Sequence, residues 1–194
     1  MESHIVFRKS NFINLMINLK PFLETNNIIL NPLTEEDFNE LYLAASDPKI
    51  WEQHPNKDRW KRDVFRNFFE GAMKSGGAFK IIDKATSKII GSTRFYDYNA
   101  DDKSILIGYT FFKVSHWGKG FNREVKELML AYIFQFVSQV DFHVGAENHR
   151  SLISIARIGA IKVGEQEVTY FGEEPKLNAI FRIFPQPSPQ TREA

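Results

Sequence analysis

With 194 residues, 43% of them hydrophobic and 18 of them phenylalanine, the chain is predicted to form one globular domain with a substantial core. Lys and Arg total 25 against 24 for Asp and Glu, and this balance argues against nucleic acid or a membrane as the main partner. The chain has no cysteine, which excludes disulfides, a thiolate nucleophile and a Cys-ligated metal, and which is compatible with a cytoplasmic location.

Both ends of the chain differ in composition from its middle. Residues 1–15 are interrupted by polar and charged side chains, and they lack the apolar core of a signal peptide. Because Met16 offers an alternative start, we expect these residues to be an N-terminal extension. Residues 185–194 read PQPSPQTREA, and their prolines predict a mobile tail. One domain is thus expected over residues 16–184, without any apolar run of the roughly 20 residues that span a bilayer.

The first half of the domain predicts one strand and two helices. Residues 28–30 (IIL) form a short apolar strand, and Thr34 is placed as the N-cap of a helix that ends near Ser46. Apolar residues at helical spacing predict a second helix over residues 64–72. A polar and aromatic loop, residues 51–55 (WEQHP), joins the two helices.

The second half of the domain alternates strands with helices. Residues 78–82, 89–96 and 104–113 predict strands, and their short polar connections favour an antiparallel meander. A helix follows with its core face over residues 125–136, and then come a strand, a short helix ending at Gly159 and further strands. This order predicts a crossover with one parallel pair. The expected fold is a mixed, mostly antiparallel central sheet flanked by helices.

The stretch VSHWGKGFNRE, residues 114–124, leads from the meander into the helix. Gly118 and Gly120 permit a positive φ and the close approach of an anion, and the first amides of the helix would point at that charge. Lys119 and Arg123 add positive charge. Gly-x-Gly by itself is also typical of plain turns, and the stretch lacks the Gly-Lys-Ser/Thr ending of a nucleotide phosphate loop.

Five stretches of the chain occur in a characteristic order, namely IILNPLTEEDFNEL, KIIGSTRFYDY, IGYTFFKVSHWGKGFNREVKELML, AENHRSLISIARIGAIKVG and the closing strand. With these stretches the chain resembles the GNAT superfamily of acetyl-CoA-dependent N-acetyltransferases, and in particular its branch of ribosomal-protein N-terminal acetyltransferases. The resemblance covers nearly the whole domain. It implies a GNAT-like acyl-CoA N-acyltransferase fold, acetyl-CoA as cosubstrate and no metal.

The resemblance implies a cofactor site around the glycine stretch. In the family this loop holds the pyrophosphate of coenzyme A through main-chain amides, and the preceding strand pairs with the pantetheine arm, here through the backbone of Phe111 and Lys113. Asn148 matches an asparagine that contacts the same arm. The implied cofactor-binding residues are Phe111, Phe112, Lys113, Trp117, Gly118, Lys119, Gly120, Phe121, Asn122, Arg123, Asn148 and Ser151.

The resemblance also implies direct attack of a neutral primary amine on the thioester, through a tetrahedral intermediate. Ser151 matches a position that protonates the leaving thiolate in related enzymes, and His54 and Glu52 are candidates for the base side. An acid that is common in this branch is replaced by Leu106, so that position supplies no base. The implied acceptor-side residues are Trp51, His54, Arg94 and Tyr96, of which Arg94 and Tyr96 share one face of their strand.

Two functions are compatible with these features. The first is an N-acetyltransferase that acts on a protein N-terminus or a small amine, as a monomer or homodimer. The alternative is a non-catalytic acyl-CoA-binding sensor, which the missing acid at Leu106 supports. The simpler interpretations of single residues are packing for Trp117, an N-cap for Asn148, a solvated hydroxyl for Ser151, and surface or packing roles for His116, His143 and His149.

Overall fold

A computed structural model describes residues 17–186 of the chain, and one eight-stranded sheet runs through it. The expected extension at residues 1–15 and the part of the expected tail from residue 187 onward lie outside the described residues. Within residues 17–186, no helix has both the length and the apolar character needed to cross a membrane.

The sheet and its helices follow one another in the predicted order. The strands are β1 (Leu23–Glu24), β2 (Ile28–Pro32), β3 (Ala78–Asp83), β4 (Lys88–Asn99), β5 (Ser104–Phe112), β6 (Gln139–Gly145), β7 (Ile161–Val168) and β8 (Lys176–Ile183). The α-helices are α1 (Phe38–Ala45), α2 (Arg62–Lys74), α3 (Phe121–Ile133) and α4 (His149–Arg157). The strands lie in the order β1-β2-β3-β4-β5-β6-β8-β7.

All neighbouring strands are antiparallel except β5 and β6, which are parallel. This arrangement confirms the predicted fold class, including the antiparallel meander and the single parallel pair. The parallel pair arises because the chain crosses over from β5 to β6 through α3, which packs on one face of the sheet.

The helices bury their apolar faces on opposite sides of the sheet. On one side α3 places Val125, Met129 and Ile133 fully inside a core that the sheet shares with it, as the period of its apolar residues predicts. On the other side α1 and α2 pack Leu41 and Phe65 into a second core. The sheet is therefore covered on both faces, and a ligand can reach its centre only where neighbouring strands separate.

Such a separation occurs between β5 and β6. These strands pair only from Ser104 with Gln139 to Leu106 with Asp141, and beyond that point they diverge. The register between β4 and β5 also shifts in this region, and Tyr109 has a φ of 53°. A bulge of this kind bends a strand and increases its twist, which helps β5 to turn away from β6 and opens a cleft in the sheet.

Candidate functional site

A cavity of about 650 Å³ lies where β5 and β6 diverge. The walls come from the diverging strands, and the starts of α3 and α4 form one end. The other end is aromatic and is formed by Trp51, Tyr96, Tyr109 and Tyr170. The cavity thus connects the glycine stretch with the loop of residues 50–59, which are far apart in the sequence.

At the first end, the glycine loop is shaped by two positive backbone angles. Gly118 has a φ of +72° and Gly120 has a φ of +86°, and a Cβ placed at either residue would meet no atom within 4 Å. The first backbone hydrogen bond of α3 runs from the Glu124 amide to the Gly120 carbonyl at 3.1 Å. The amides of Phe121 and Asn122 consequently have no acceptor within the helix, and both residues line the cavity. Free amides at a helix N-terminus are the kind of donors that bind an anion.

Trp117 anchors the glycine loop to the sheet. Its indole Nε1 donates to the carbonyl of Phe112 at 3.0 Å, in agreement with a packing role. The guanidinium of Arg150 lies 4.1 Å from the centre of the Trp117 ring. Arg150 also donates to the Ile50 carbonyl at 3.3 Å and to the Glu52 carboxylate at 3.2 Å. This one side chain therefore ties α4 to the 50–59 loop beside the glycine loop.

The start of α4 contributes polar groups to the cavity wall. The side chain of Asn148 accepts a hydrogen bond from the Ser151 amide at 3.1 Å and so caps the helix. Both residues also line the cavity, so the cap and the cofactor interpretations of Asn148 are compatible. Asn122 donates to Ser154 at 2.6 Å, and its Oδ1 is buried without a hydrogen-bond partner among the described residues. A ligand donor can satisfy that oxygen.

At the aromatic end, a buried arginine contacts His54 and lowers the pKa of its imidazole. Arg59 is only 1% exposed, and it donates to the Glu173 carboxylate at 2.9 Å and approaches His54 Nε2 at 3.0 Å. Because a guanidinium can only donate, Nε2 accepts this hydrogen bond, while Nδ1 accepts from the Asn56 amide at 2.9 Å and lies 3.2 Å from the Asn56 carbonyl oxygen. Burial and the neighbouring charge of Arg59 hold the pKa of His54 well below its usual value.

Aromatic hydroxyl groups surround the same end of the cavity. Tyr96 and Tyr109 pack edge to face with a centroid distance of 5.1 Å, and Tyr109 packs in the same way on Tyr170 at 5.4 Å. Arg94 lies beneath, with its guanidinium 3.6 Å from the centre of the Tyr109 ring. Burial raises the pKa of Tyr96 well above its usual value and also raises that of Tyr170. These phenols are therefore protonated near neutral pH and act as hydrogen-bond donors.

A buried lysine fills the gap between the diverging strands on the α3 side. Lys126 is only 3% exposed, its ammonium donates to the Thr110 hydroxyl at 2.5 Å, and it lies 5.8 Å from the centre of the Phe142 ring. No salt bridge with Lys126 occurs among the described residues. Burial lowers its pKa to about 7, so this ammonium is held in an apolar place without a counter-charge.

The structure brings most of the predicted site residues together in one cavity. Those that line it are Trp51, His54, Tyr96, Phe111, Phe112, Trp117, Gly118, Gly120, Phe121, Asn122, Arg123, Asn148 and Ser151. Those outside its lining are Glu52, Arg94, Lys113 and Lys119.

Two of these differences have a clear structural cause. The amide of Lys113, which we expected to face the pantetheine arm, donates instead to the Ile90 carbonyl at 2.7 Å, because the chain is still paired with β4 at that residue. Glu52, which we expected on the base side, is drawn to the surface by its ion pair with Arg150.

Five lining residues that are prominent in the structure were not predicted from the sequence as site residues. They are Arg59, Lys126, His143, Arg150 and Tyr170. For Lys126 a signal was present, since a charged residue directly follows Val125 on the buried stripe of α3. For the others the local pattern is that of an ordinary loop, strand or helix surface. Residues 17–186 contain no cluster of three or more His, Asp or Glu side chains that could hold a metal ion.

The chain matches one protein-family model and is similar in fold to several solved structures. The sequence model of one protein family, described as an acetyltransferase (GNAT) domain, matches residues 27–161. The fold is similar to that of a GCN5-related N-acetyltransferase from Brucella melitensis, with a TM-score of 0.74 and 20% identity over 85% of this chain and 79% of that one.

Two further solved structures have the same fold. A ribosomal-protein-S5-alanine acetyltransferase from Vibrio fischeri gives a TM-score of 0.61 at 16% identity, over 85% of this chain and 97% of that one. The microcin C7 self-immunity acetyltransferase MccE, solved in complex with acetyl-CoA and AMP, gives 0.62 at 17% identity, over 82% and 93%. At these identities the likeness is one of fold.

Proposed function

Because the chain belongs to the GNAT acetyltransferase family, we propose that it transfers an acetyl group from acetyl-CoA to a primary amine, either a protein N-terminus or a small amine. The observation that carries this proposal is the glycine loop, whose positive-φ glycines and free helix amides open into a cavity between two diverging strands. GNAT enzymes use acetyl-CoA, and a cytoplasmic location is part of the proposal.

The residues of the cavity fit acetyl-CoA from end to end. The amides of Gly118 to Arg123 would hold the pyrophosphate, aided by the positive end of the α3 dipole. Beyond Leu106 the edge of β5 has no strand partner on the β6 side, so it can pair with the amide-rich arm. Asn148 and Ser151 also line the cavity, and they would contact that arm. When bound, acetyl-CoA supplies the activated acetyl group, and the protein supplies position and proton transfer.

The charge of the cavity wall predicts which charge the acceptor can carry. Among the described lining residues none is Asp or Glu, whereas the cationic ones are Arg59, Lys126, Arg150, Arg157 and Arg123. Carboxylates outside the lining pair with Arg59, Arg123 and Arg150. A cation-rich wall suits the phosphates of the cosubstrate, and it gives no attraction to an acceptor that carries several positive charges. We therefore expect an acceptor whose amine lies beside neutral or acidic groups, rather than a polyamine.

Binding and turnover separate the proposed enzyme from a non-catalytic sensor. We expect acetyl-CoA at about 100 times its Kd to stabilise the protein by about 2.7 kcal/mol, which corresponds to a Tm rise of roughly 5–10 °C for a chain of this size. Thiol release from acetyl-CoA, measured over a panel of N-terminal peptides and small amines, should then show turnover. Stabilisation by ATP and not by acetyl-CoA contradicts the proposal. Stabilisation without thiol release on any amine favours the sensor.

The glycine loop can be tested with a conservative change. Gly120→Ala places a Cβ at a φ of +86° where no atom lies within 4 Å, so it adds only backbone strain, about 1–2 kcal/mol. If the loop relaxes and its amides turn, acetyl-CoA affinity measured by calorimetry should fall about tenfold. Gly76→Ala is the matched control, because its φ of +67° and open surroundings are similar and it lies after α2. Equal affinity for the two variants would refute the cradle.

A further inference from the structure

The proposed reaction needs a proton acceptor in the cavity. A primary amine is mostly protonated near neutral pH, and only its neutral form attacks a carbonyl carbon. The described lining residues include no carboxylate. The groups that can accept a proton are therefore the imidazoles of His54, His116 and His143 and the amine of Lys126.

Two of these imidazoles are already engaged. His54 Nε2 lies 3.0 Å from the Arg59 guanidinium, and the positive charge that it faces opposes protonation. His116 Nδ1 lies 3.0 Å from the Ser115 hydroxyl, and its Nε2 lies 3.6 Å from the Asp83 carboxylate. His116 also immediately precedes Trp117 and the glycine loop, at the end of the cavity where the cosubstrate phosphates would bind.

His143 differs from both because one of its ring nitrogens has no hydrogen-bond partner among the described residues. Its Nδ1 is buried and has no hydrogen-bond partner among residues 17–186. His143 follows the last pair between β5 and β6, that of Leu106 with Asp141, so it stands where the cleft opens. An unpaired buried polar atom is unfavourable unless a ligand or water satisfies it, and His143 is one of the residues that line the cavity.

The alternation of β6 directs His143 away from α3. Phe142 and Val144 belong to the core beneath α3, so His143 and Gly145 face the other side of the sheet. A Cβ on Gly145 would come within 2.5 Å of Pro55, which places the 50–59 loop on that side. Lys126 approaches the ring of Phe142 and therefore lies on the opposite face, behind the cleft.

The surroundings of His143 keep its imidazole neutral. Burial lowers its pKa, while Asp141 on its own strand and Asp97 on β4 act in the opposite direction. Asp141 is held by Arg182 of β8 through two hydrogen bonds of 2.7 Å. From the loop after β7, Tyr170 also lines the cavity, with its hydroxyl bonded to Asn178. The imidazole is therefore uncharged at neutral pH and has a nitrogen free to accept a proton.

We infer that His143 is the proton acceptor for the amine, an inference that rests on the proposed acetyl transfer. His143 takes one proton from the entering ammonium and releases it to solvent. The neutral amine then adds to the thioester carbonyl and forms the C–N bond of a tetrahedral intermediate, and the C–S bond breaks when that intermediate collapses. A second amine proton, lost as the amide forms, is matched by the proton that the leaving sulfur gains. In total, one ammonium and one thioester give one amide, one thiol and one released proton.

His143→Gln tests the inference by removing the base while keeping a polar side chain. We expect kcat for thiol release to fall about 100-fold, with the KM for acetyl-CoA and the acetyl-CoA thermal shift unchanged. The acceptor in this assay is the fastest amine of the panel. His149→Gln is the matched control, because His149 is exposed and does not line the cavity. Added imidazole should restore part of the rate of His143→Ala.

The pH dependence supplies a second readout. In the wild-type protein the rate should fall more steeply below the pKa of His143, because the protonated imidazole cannot accept a proton, and this bend should be missing in His143→Gln. A rate within threefold of wild type with an unchanged profile overturns the inference. A bend that persists in His143→Gln and disappears in Lys126→Met assigns the role to the lysine instead. Wild-type protein that is not stabilised by acetyl-CoA contradicts the proposed function itself.

Discussion

Arg59→Met is expected to lower the free energy of unfolding by about 3–5 kcal/mol, because it leaves a buried charge without its partner. Arg59 is 1% exposed, and the Glu173 side chain that it contacts is 11% exposed. One oxygen of that carboxylate, Oε2, already lacks a partner among the described residues. The loss of Arg59 would strand the other oxygen as well, and it would release the 50–59 loop from the segment between β7 and β8.

Urea denaturation of the ligand-free protein measures this loss. Lys162→Met removes an exposed pair with Glu165, in which the side chains are 50% and 46% exposed, and it should change stability by less than about 1 kcal/mol. Adding Glu173→Gln to Arg59→Met should recover part of the loss, since the stranded charge is then gone. A loss for Arg59→Met no larger than that of the Lys162 control would contradict the buried-pair interpretation.

Lys126→Met is expected to raise the free energy of unfolding, whereas Arg59→Met lowers it. The expected gain for the ligand-free protein is about 1–4 kcal/mol near pH 6. The ammonium is buried against Phe142, with the Thr110 hydroxyl as its hydrogen-bond partner. A methionine of similar length removes the desolvation penalty and fills the same apolar gap. The lost hydrogen bond to Thr110 offsets only part of this gain, because that hydroxyl also bonds to Thr93 at 2.8 Å.

The stabilisation by Lys126→Met should depend on pH. Burial lowers the pKa of Lys126 from 10.5 to about 7, so below pH 7 the lysine is charged in both the folded and unfolded states and the full penalty applies. Between these two values the unfolded chain binds more protons, and wild-type stability therefore rises with pH. The gain of the variant should shrink from pH 6 to pH 9. Lys88→Met, at an exposed position, should show no such trend. A variant less stable than wild type at both pH values would contradict the prediction.

The helix and loop that hold the glycines could be recognised from short-range patterns. Apolar residues at helical spacing identify α3, since the side chains that share a helix face are close in sequence. Gly118 and Gly120 signal a tight turn because few other residues adopt a positive φ. The antiparallel meander and the parallel pair follow from connection length alone. These features are local, so a single sequence is enough to predict them.

The side chains that could react in the cavity could be identified only from the tertiary structure. His54 stood out in the sequence, yet Arg59 occupies its Nε2, and the free nitrogen belongs to His143, which we had interpreted as a surface or packing residue. The pattern of β6 shows that His143 alternates with apolar neighbours. It does not show that β5 leaves β6 just before this residue.

The sequence by itself determined the family resemblance, the order of the elements and the glycine turn before α3, because backbone geometry depends on neighbours along the chain. Only the tertiary structure decided which side chains are charged and free to react. Arg59 and Glu173 are 114 positions apart, and Lys126 reaches Thr110 from another element. Protonation depends on burial and on charges within a few ångströms, and those distances are fixed only when the chain has folded.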